Sequence, residues 1–245
     1  MKQSLFEIRE NTPLTSNVYK MVLSGDTSDI TKPGQFINIK LEGKYLRRPI
    51  SVCDRDDKTV TIIYKVVGTG TEQMAKMAVG ENLDVLTGLG NGYNTNLSGE
   101  KPLLLGGGVG VPPLYMLAKE LINMGKEVTV ILGFNTKDEI FLEKEFEALG
   151  CKVLVATADG SYGVRGFVTD AMKDINYTYF YTCGPEPMLK AIYKTSNTSG
   201  ELSFEERMGC GFGACMGCSC KTLTGYKRIC KDGPVMLKEE ILWED

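Results

Sequence analysis

Residues 1–99 read as a β-rich unit. Ile37-Asn38-Ile39-Lys40-Leu41 places an apolar residue at every second position, the period of a strand with one buried face. Residues 59–67 form a β-branched run suited to a buried strand. Turn chemistry separates these runs at Lys32-Pro33-Gly34-Gln35, at residues 54–58 and at Gly68-Thr69-Gly70, and a short helix is expected over 72–77. Several short strands at such spacing predict a barrel or a sandwich.

The pattern changes at Lys101. Leu103-Leu104-Leu105 predicts a strand, and the glycine-rich Gly106-Gly107-Gly108-Val109-Gly110 follows it. Leu114, Leu117, Ala118, Leu121 and Ile122 then recur along one face of a helix, with Pro113 in its first turn and Gly125 past its end. Further strands are expected over 128–132, 153–156 and 177–181, and a helix over 141–149 that stops at Gly150. Strands alternating with helices predict a parallel α/β sheet with right-handed crossovers. Residues 201–245 are rich in Gly and Cys and offer little core of their own, so a bound metal is expected to organise them. The chain therefore divides into units over 1–99, 100–200 and 201–245.

Composition narrows the chemistry. The chain has 245 residues and a net charge of -3, which gives no reason to expect nucleic acid or an anionic membrane as partner. The longest uncharged run, residues 102–118, is too short to span a bilayer and is broken by four glycines and three prolines. The N-terminal residues lack an apolar signal core, so a soluble cytoplasmic protein is expected. There is no histidine. That excludes Ser-His-Asp and Cys-His catalysis, His-ligated zinc and a Rieske centre.

Of eight cysteines, Cys53, Cys151 and Cys183 are scattered, whereas Cys210, Cys215, Cys218, Cys220 and Cys230 fall within 21 residues. In a cytoplasmic setting such clustering points to metal rather than disulfides. Cys210-x4-Cys215-x2-Cys218 followed by Cys230 matches the plant-type [2Fe–2S] spacing. A loop wrapping two irons must bring backbone N–H groups close to sulfur, and Gly209, Gly211, Gly213 and Gly217 clear side chains from its path. The alternative is a structural zinc site, but zinc favours paired C-x2-C knuckles and only one such spacing occurs here. Either Cys218 or Cys220 could be the third ligand; the spacing favours Cys218.

Two further segments carry chemistry by resemblance. Arg47-Arg48-Pro49-Ile50-Ser51 lies between two predicted strands and resembles the flavin motif of the ferredoxin–NADP reductase superfamily. That resemblance implies FAD, with Arg48 on its diphosphate, Ser51 at the isoalloxazine edge, and Pro49, Ile50, Ile63, Tyr64, Lys65, Gly70 and Thr71 around it. Arg suits a diphosphate through its planar fork of donors. Without the context, an Arg and a Ser near a strand are ordinary surface residues. Gly108-x-Gly110-x-x-Pro113 departs from the Rossmann G-x-G-x-x-G and resembles the G-x-G-x-x-P of the same superfamily. Cys183-Gly184-Pro185 follows the last predicted strand, and by that resemblance Cys183 lies near the hydride-transfer position. The plain alternative for Cys183 is a small buried core residue.

The three motifs in this order imply a ferredoxin reductase-like chain: a β-barrel flavin domain, an α/β nicotinamide-binding domain and a small C-terminal [2Fe–2S] domain. Residues 205–215 and 230–235, with Arg48-Pro49-Ile50-Ser51 and Gly90-Asn91-Gly92-Tyr93, resemble the electron-transfer subunits of class 1B dihydroorotate dehydrogenases of pyrimidine biosynthesis. The resemblance implies an FMN-containing catalytic subunit as partner, in a heterotetramer of two of each, with electrons passing through [2Fe–2S] and FAD to NAD+. Gly133-Phe134-Asn135-Thr136 is followed by Lys137 and no Arg, so NAD(H) is expected over NADP(H). Two other readings are a small flavin subunit of an NADH-dependent ferredoxin:NADP oxidoreductase or sulfide dehydrogenase, and a non-catalytic redox-sensing carrier.

Overall fold

The structure is a computed structural model and describes residues 1–243. Its first unit is a closed antiparallel barrel of β1 (Lys2–Pro13), β2 (Val18–Ser24), β3 (Phe36–Lys40), β4 (Arg48–Arg55), β5 (Thr59–Lys65) and β6 (Asn82–Leu89), in the order β1-β2-β5-β4-β3-β6. Closure leaves no free edge. Ile37 and Ile39 of β3 point into the barrel core, as the period-two pattern requires. Their neighbours Phe36 and Asn38 are buried too, at 3% and 1% exposure, because other parts of the chain cover the outside of β3.

Helix α1 (Thr69–Ala75) tucks Met74 into the barrel core. It starts three residues before the expected position. The Thr71 hydroxyl accepts from Val67 N at 2.9 Å and Gly68 N at 3.2 Å, which ties the preceding turn onto the helix.

The second unit contains β7 (Pro102–Gly107), α2 (Pro113–Asn123), β8 (Thr129–Phe134), α3 (Glu143–Ala148), β9 (Lys152–Thr157), β10 (Val164–Arg165), α4 (Val168–Ala171), β11 (Tyr179–Cys183), α5 (Glu186–Thr195) and β12 (Gly200–Ser203). The remaining strands are β13 (Ser219–Thr222), β14 (Gly225–Arg228) and β15 (Val235–Leu237). The large sheet runs β10-β9-β8-β7-β11-β12-β15, parallel throughout except for β15. The C-terminal segment thus extends the sheet with its own strand, and β13 and β14 form a separate hairpin.

Helix α2 matches its apolar stripe. Helix α3 starts later than expected, after Leu142, whose φ of 66° places it in the left-handed region. Strand β11 is displaced two residues along from the expected position. The Thr178 hydroxyl accepts from Lys101 N and donates to the Ser98 carbonyl, which holds that residue in the joint before the strand.

Glu201 on β12 is 6% exposed and accepts a hydrogen bond from Asn94 N at 2.9 Å. Burial raises its carboxyl to about 7 from the usual 4.5, against the opposing pull of that hydrogen bond and of Lys32. The native carboxyl therefore keeps its proton to higher pH than the unfolded chain does. Stability is lost as pH climbs from about 4.5 to about 7. Glu201→Gln, which keeps the acceptor, should stabilise the fold at pH 8 by on the order of 2 kcal/mol and have little effect at pH 4. Thermal unfolding at the two pH values checks this; an equal change at both would contradict it.

Candidate functional site

None of the eight cysteines is in a disulfide. Four of them converge as two pairs. Cys210 N approaches Cys215 Sγ at 3.4 Å, and Cys215 N returns to Cys210 Sγ at 3.4 Å. Cys230 N donates to Cys218 Sγ at 3.4 Å. Among the described residues, no three cysteine or carboxylate groups converge on a single ion position. Cys210 Sγ also accepts from Phe212 N at 3.5 Å and Ala214 N at 3.2 Å. Burial alone would raise the Cys210 thiol, but these backbone donors outweigh it and bring it down to about 6. Cys230 goes the other way, to about 12, through burial and the neighbouring Cys218. Sulfur in a nest of N–H donors suits an iron–sulfur cluster, whose thiolates are tuned by such bonds.

Cys220 stands apart. It lies on β13 opposite Lys227, and no hydrogen bond ties it to the four paired thiols. Phe212 and Met216 of the loop are exposed, at 42% and 55%.

The flavin motif lies on a strand, β4, rather than between strands. Arg47 is occupied structurally: its guanidinium donates to the Asn38 carbonyl and to both the carbonyl and carboxylate of Asp84. Arg48 reaches the rim of the barrel and lies against Gly70 of α1. A Cβ at Gly70 would stand 2.7 Å from Arg48 Cζ. Arg48 bonds only the carbonyls of Leu46 and Arg47, so among the described residues its charge has no carboxylate partner. An uncompensated guanidinium over a glycine at a helix start suits a diphosphate.

The other flavin candidates divide by face. Pro49 and Ser51 point outward from β4, opposite Asn38 and Phe36 of β3. Ile50 packs against the barrel core. Tyr64 is buried inside the barrel, with its hydroxyl donating to Asn11 Oδ1 at 3.0 Å, so its side chain is committed elsewhere. Ile63 faces outward into the core shared with Val111 and Leu114, and Lys65 is half-buried. The Thr71 hydroxyl is already engaged in the turn before α1.

Gly108 and Gly110 form the turn between β7 and α2, and Cys183-Gly184-Pro185 joins β11 to α5. The strands β7 and β11 are adjacent, with Cys183 opposite Gly106. The chain winds from β7 outward through β8 to β10, then returns to β11 on the other side. Both motifs thus meet at the carboxyl ends of the strands, at the topological switch point where open α/β sheets bind ligands. Gly110 is required by close approach: a Cβ there would lie 2.5 Å from the carbonyl carbon of Cys183 and 2.6 Å from Gly184 Cα. Burial pushes the Cys183 thiol up to about 12, opposed by a hydrogen bond with Ser203. It is a neutral thiol at physiological pH.

One motif gains a role that the sequence did not give it, and one residue, Asn38, escaped sequence reasoning. Asn91 of Gly90-Asn91-Gly92-Tyr93 exchanges hydrogen bonds with Val235, accepting from its N at 3.1 Å and donating to its O at 2.7 Å. Tyr93 donates to the Thr182 carbonyl at 3.1 Å. This tetrapeptide therefore clamps the barrel to both the sheet and the C-terminal segment. Asn38 donates to the Cys210 carbonyl at 3.2 Å. Its place among the polar positions of an alternating strand reads as solvent-facing in sequence, and nothing local marks it otherwise.

A closed barrel, a parallel nicotinamide-type sheet and a C-terminal iron–sulfur binding segment define an NAD-linked oxidoreductase of the ferredoxin reductase type. Residues 104–194 match the oxidoreductase NAD-binding domain, and residues 205–242 match the iron–sulfur cluster binding domain of dihydroorotate dehydrogenase B. The chain is 43% identical to the dihydroorotate dehydrogenase B (NAD(+)) electron transfer subunit of Geobacillus sp. strain WCH70, over 99% of each chain. It is 44% identical to the corresponding subunit of Fusobacterium nucleatum subsp. nucleatum, over 96% of each. Among solved structures, an NADH-dependent reduced ferredoxin-NADP oxidoreductase aligns with a TM-score of 0.88 and 31% identity, over 98% of this chain and 90% of that one. A ferredoxin NADP+ reductase from Neisseria gonorrhoeae with bound FAD and NADP aligns at 0.70 and 20% identity, over 80% and 90%, and shares the fold. This chain belongs to the family of electron transfer subunits of dihydroorotate dehydrogenase B (NAD(+)). Among the described residues, no helix is long and apolar enough to cross a membrane.

Proposed function

We propose that this chain works with an FMN-containing catalytic subunit, two of each in a cytoplasmic heterotetramer, and returns the electrons of dihydroorotate oxidation to NAD+. The observation that carries this reading is the adjacency of its sites: the flavin strand β4 pairs with β3, and β3 touches the cysteine loop. When bound, an iron–sulfur cluster handles single electrons and a flavin handles one or two, so together they couple one-electron to hydride chemistry.

The chain's own residues do the holding. Cys210, Cys215, Cys218 and Cys230 would hold the iron–sulfur cluster. Arg48 would neutralise the flavin diphosphate over Gly70. Ser51, with Pro49, Ile63 and Lys65, would line the isoalloxazine edge, while Ile50, Tyr64 and Thr71 would contribute through backbone. Gly108, Gly110, Pro113, Gly184 and Pro185 would shape the nicotinamide cleft. Cys183, as a neutral thiol, would pack there without acting as a nucleophile. The exposed Phe212 and Met216 would face the catalytic subunit.

The test separates the alternatives. The isolated chain should oxidise NADH with artificial acceptors yet leave dihydroorotate untouched until the FMN subunit is added. Dihydroorotate-dependent NAD+ reduction by the chain alone would overturn the division of labour. No NADH turnover at all would favour a non-catalytic carrier. NADH should be preferred to NADPH: the residues after β8 offer Glu139, which accepts from both Asn135 N–H groups, and no Arg for a 2′-phosphate. Equal turnover with NADPH would contradict that preference.

A further inference from the structure

Strand β3 is a wall with the flavin motif on one side and the cysteine loop against its outer face. Its register pairs Asn38 with Pro49 and Phe36 with Ser51. Paired residues share a face, so the outward side chains of the flavin motif and of these two residues form one surface. Phe36 belongs to the buried cluster that includes Cys218, Ile229 and Cys230. Phe36 thus provides apolar packing, and Asn38 provides direction.

Asn38 is held through both its side chain and its backbone. Its Nδ2 donates to the Cys210 carbonyl at 3.2 Å. Gly211, with φ of 79°, gives it room: a Cβ at that glycine would run into the Asn38 amide. Its backbone carbonyl accepts from Arg47, whose guanidinium is anchored on Asp84. Meanwhile Asn38 Oδ1 is buried and has no hydrogen-bond partner. A buried acceptor left unpaired is a cost that an apolar residue of the same size would avoid. This position accepts the cost, and what the amide supplies in return is a donor to the loop that carries Cys210.

We propose that Asn38 is a positioning residue for the electron relay, fixing the Cys210 loop in register against the strand pair that holds the flavin. The inference rests on the reading of Cys210 as a cluster ligand and β4 as the flavin strand. The Asn38 side chain is hydrogen-bonded to the Cys210 carbonyl rather than to a thiol, so it acts through the backbone of a ligand residue, as outer-shell partners of metal sites do.

The test uses the full chain loaded with FAD and cluster, and two substitutions of the same branched shape. Asn38→Leu removes donor and acceptor, and Asn38→Asp removes the donor but adds a carboxylate charge, so where the two differ the uncharged variant decides. FAD content, iron content and NADH–ferricyanide turnover, which draws electrons from the flavin, should stay within twofold of the parent. Reduction of the cluster by NADH, followed by stopped flow, should slow about tenfold in both variants. The electron paramagnetic resonance spectrum of the reduced cluster should shift in both. Loss of iron alone, with FAD and ferricyanide turnover intact, also supports the proposal, because a barrel residue would then be holding a loop whose cysteines all lie in the C-terminal segment. An unchanged spectrum with an unchanged rate overturns it. So does joint loss of FAD and iron in both variants, which would make Asn38 a general fold residue. Full iron retention in Cys210→Ser would instead sink the ligand reading, a result distinguishable from either.

Discussion

Cys218→Ser should strip most of the iron from the chain, while Cys220→Ser should leave about two irons per chain, the content of a [2Fe–2S] centre. The two cysteines are separated by one residue, yet they differ in surroundings. Cys218 is 2% exposed and receives the Cys230 N–H on its sulfur, so it belongs to the paired thiols. Cys220 is fixed by hairpin pairing with Lys227, and its thiol is raised first by burial and then by Glu206. A hydroxyl is a harder and poorer ligand for iron–sulfur chemistry than a thiolate. Since the segment packs Cys218 and Cys230 among Ile229 and Met236, loss of iron should also loosen it, visible as faster proteolysis after residue 204. Iron analysis of the purified variants decides the matter. Retention in Cys218→Ser with loss in Cys220→Ser would reverse the assignment.

Gly70→Ala should cost as much flavin affinity as Arg48→Ala, although it removes no charge. An alanine Cβ would stand 2.7 Å from both Cζ and Nη2 of Arg48 and push the guanidinium off the start of α1. The lost charge-assisted contact amounts to about 1.5–3 kcal/mol, or roughly ten- to a hundredfold in Kd for FAD. Alanine is otherwise the better helix former by about 1 kcal/mol, so the flavin-free chain should unfold no earlier than its parent. Weaker binding combined with an undiminished apo stability separates a displaced Arg48 from a damaged barrel. Ser51→Ala should retain flavin and alter its reactivity. If Arg48→Ala holds stoichiometric FAD through dilution and gel filtration, that residue does not carry the diphosphate.

The local parts of this protein were legible before the fold. The stripe from Leu114 to Ile122 dictates α2 because a helix brings residues three and four apart onto one face, wherever that face is later buried. The spacing of Cys210, Cys215, Cys218 and Cys230 marks the segment as metal-binding in type, because thiols so near in sequence approach one another by local geometry; the structure brings the four together as two pairs. The turn at Lys32-Pro33-Gly34-Gln35 and the glycines before α2 are likewise written in residue chemistry. What only the tertiary structure decided is how these parts meet. It separated Arg48 from Arg47, since Arg48 opens β4 while Arg47 precedes the strand and is consumed by Asp84. It turned Tyr64 into the barrel while leaving Ile63 outside it, a choice of register that short runs of buried residues do not specify. It gave Gly90-Asn91-Gly92-Tyr93 the task of joining barrel, sheet and C-terminal segment, through hydrogen bonds spanning up to 144 residues of sequence. And it buried Asn38 against a loop 172 residues away. Periodicity and spacing encode contacts between near neighbours in the chain; a contact over such separations depends on the closed path of every strand between, which no local pattern carries.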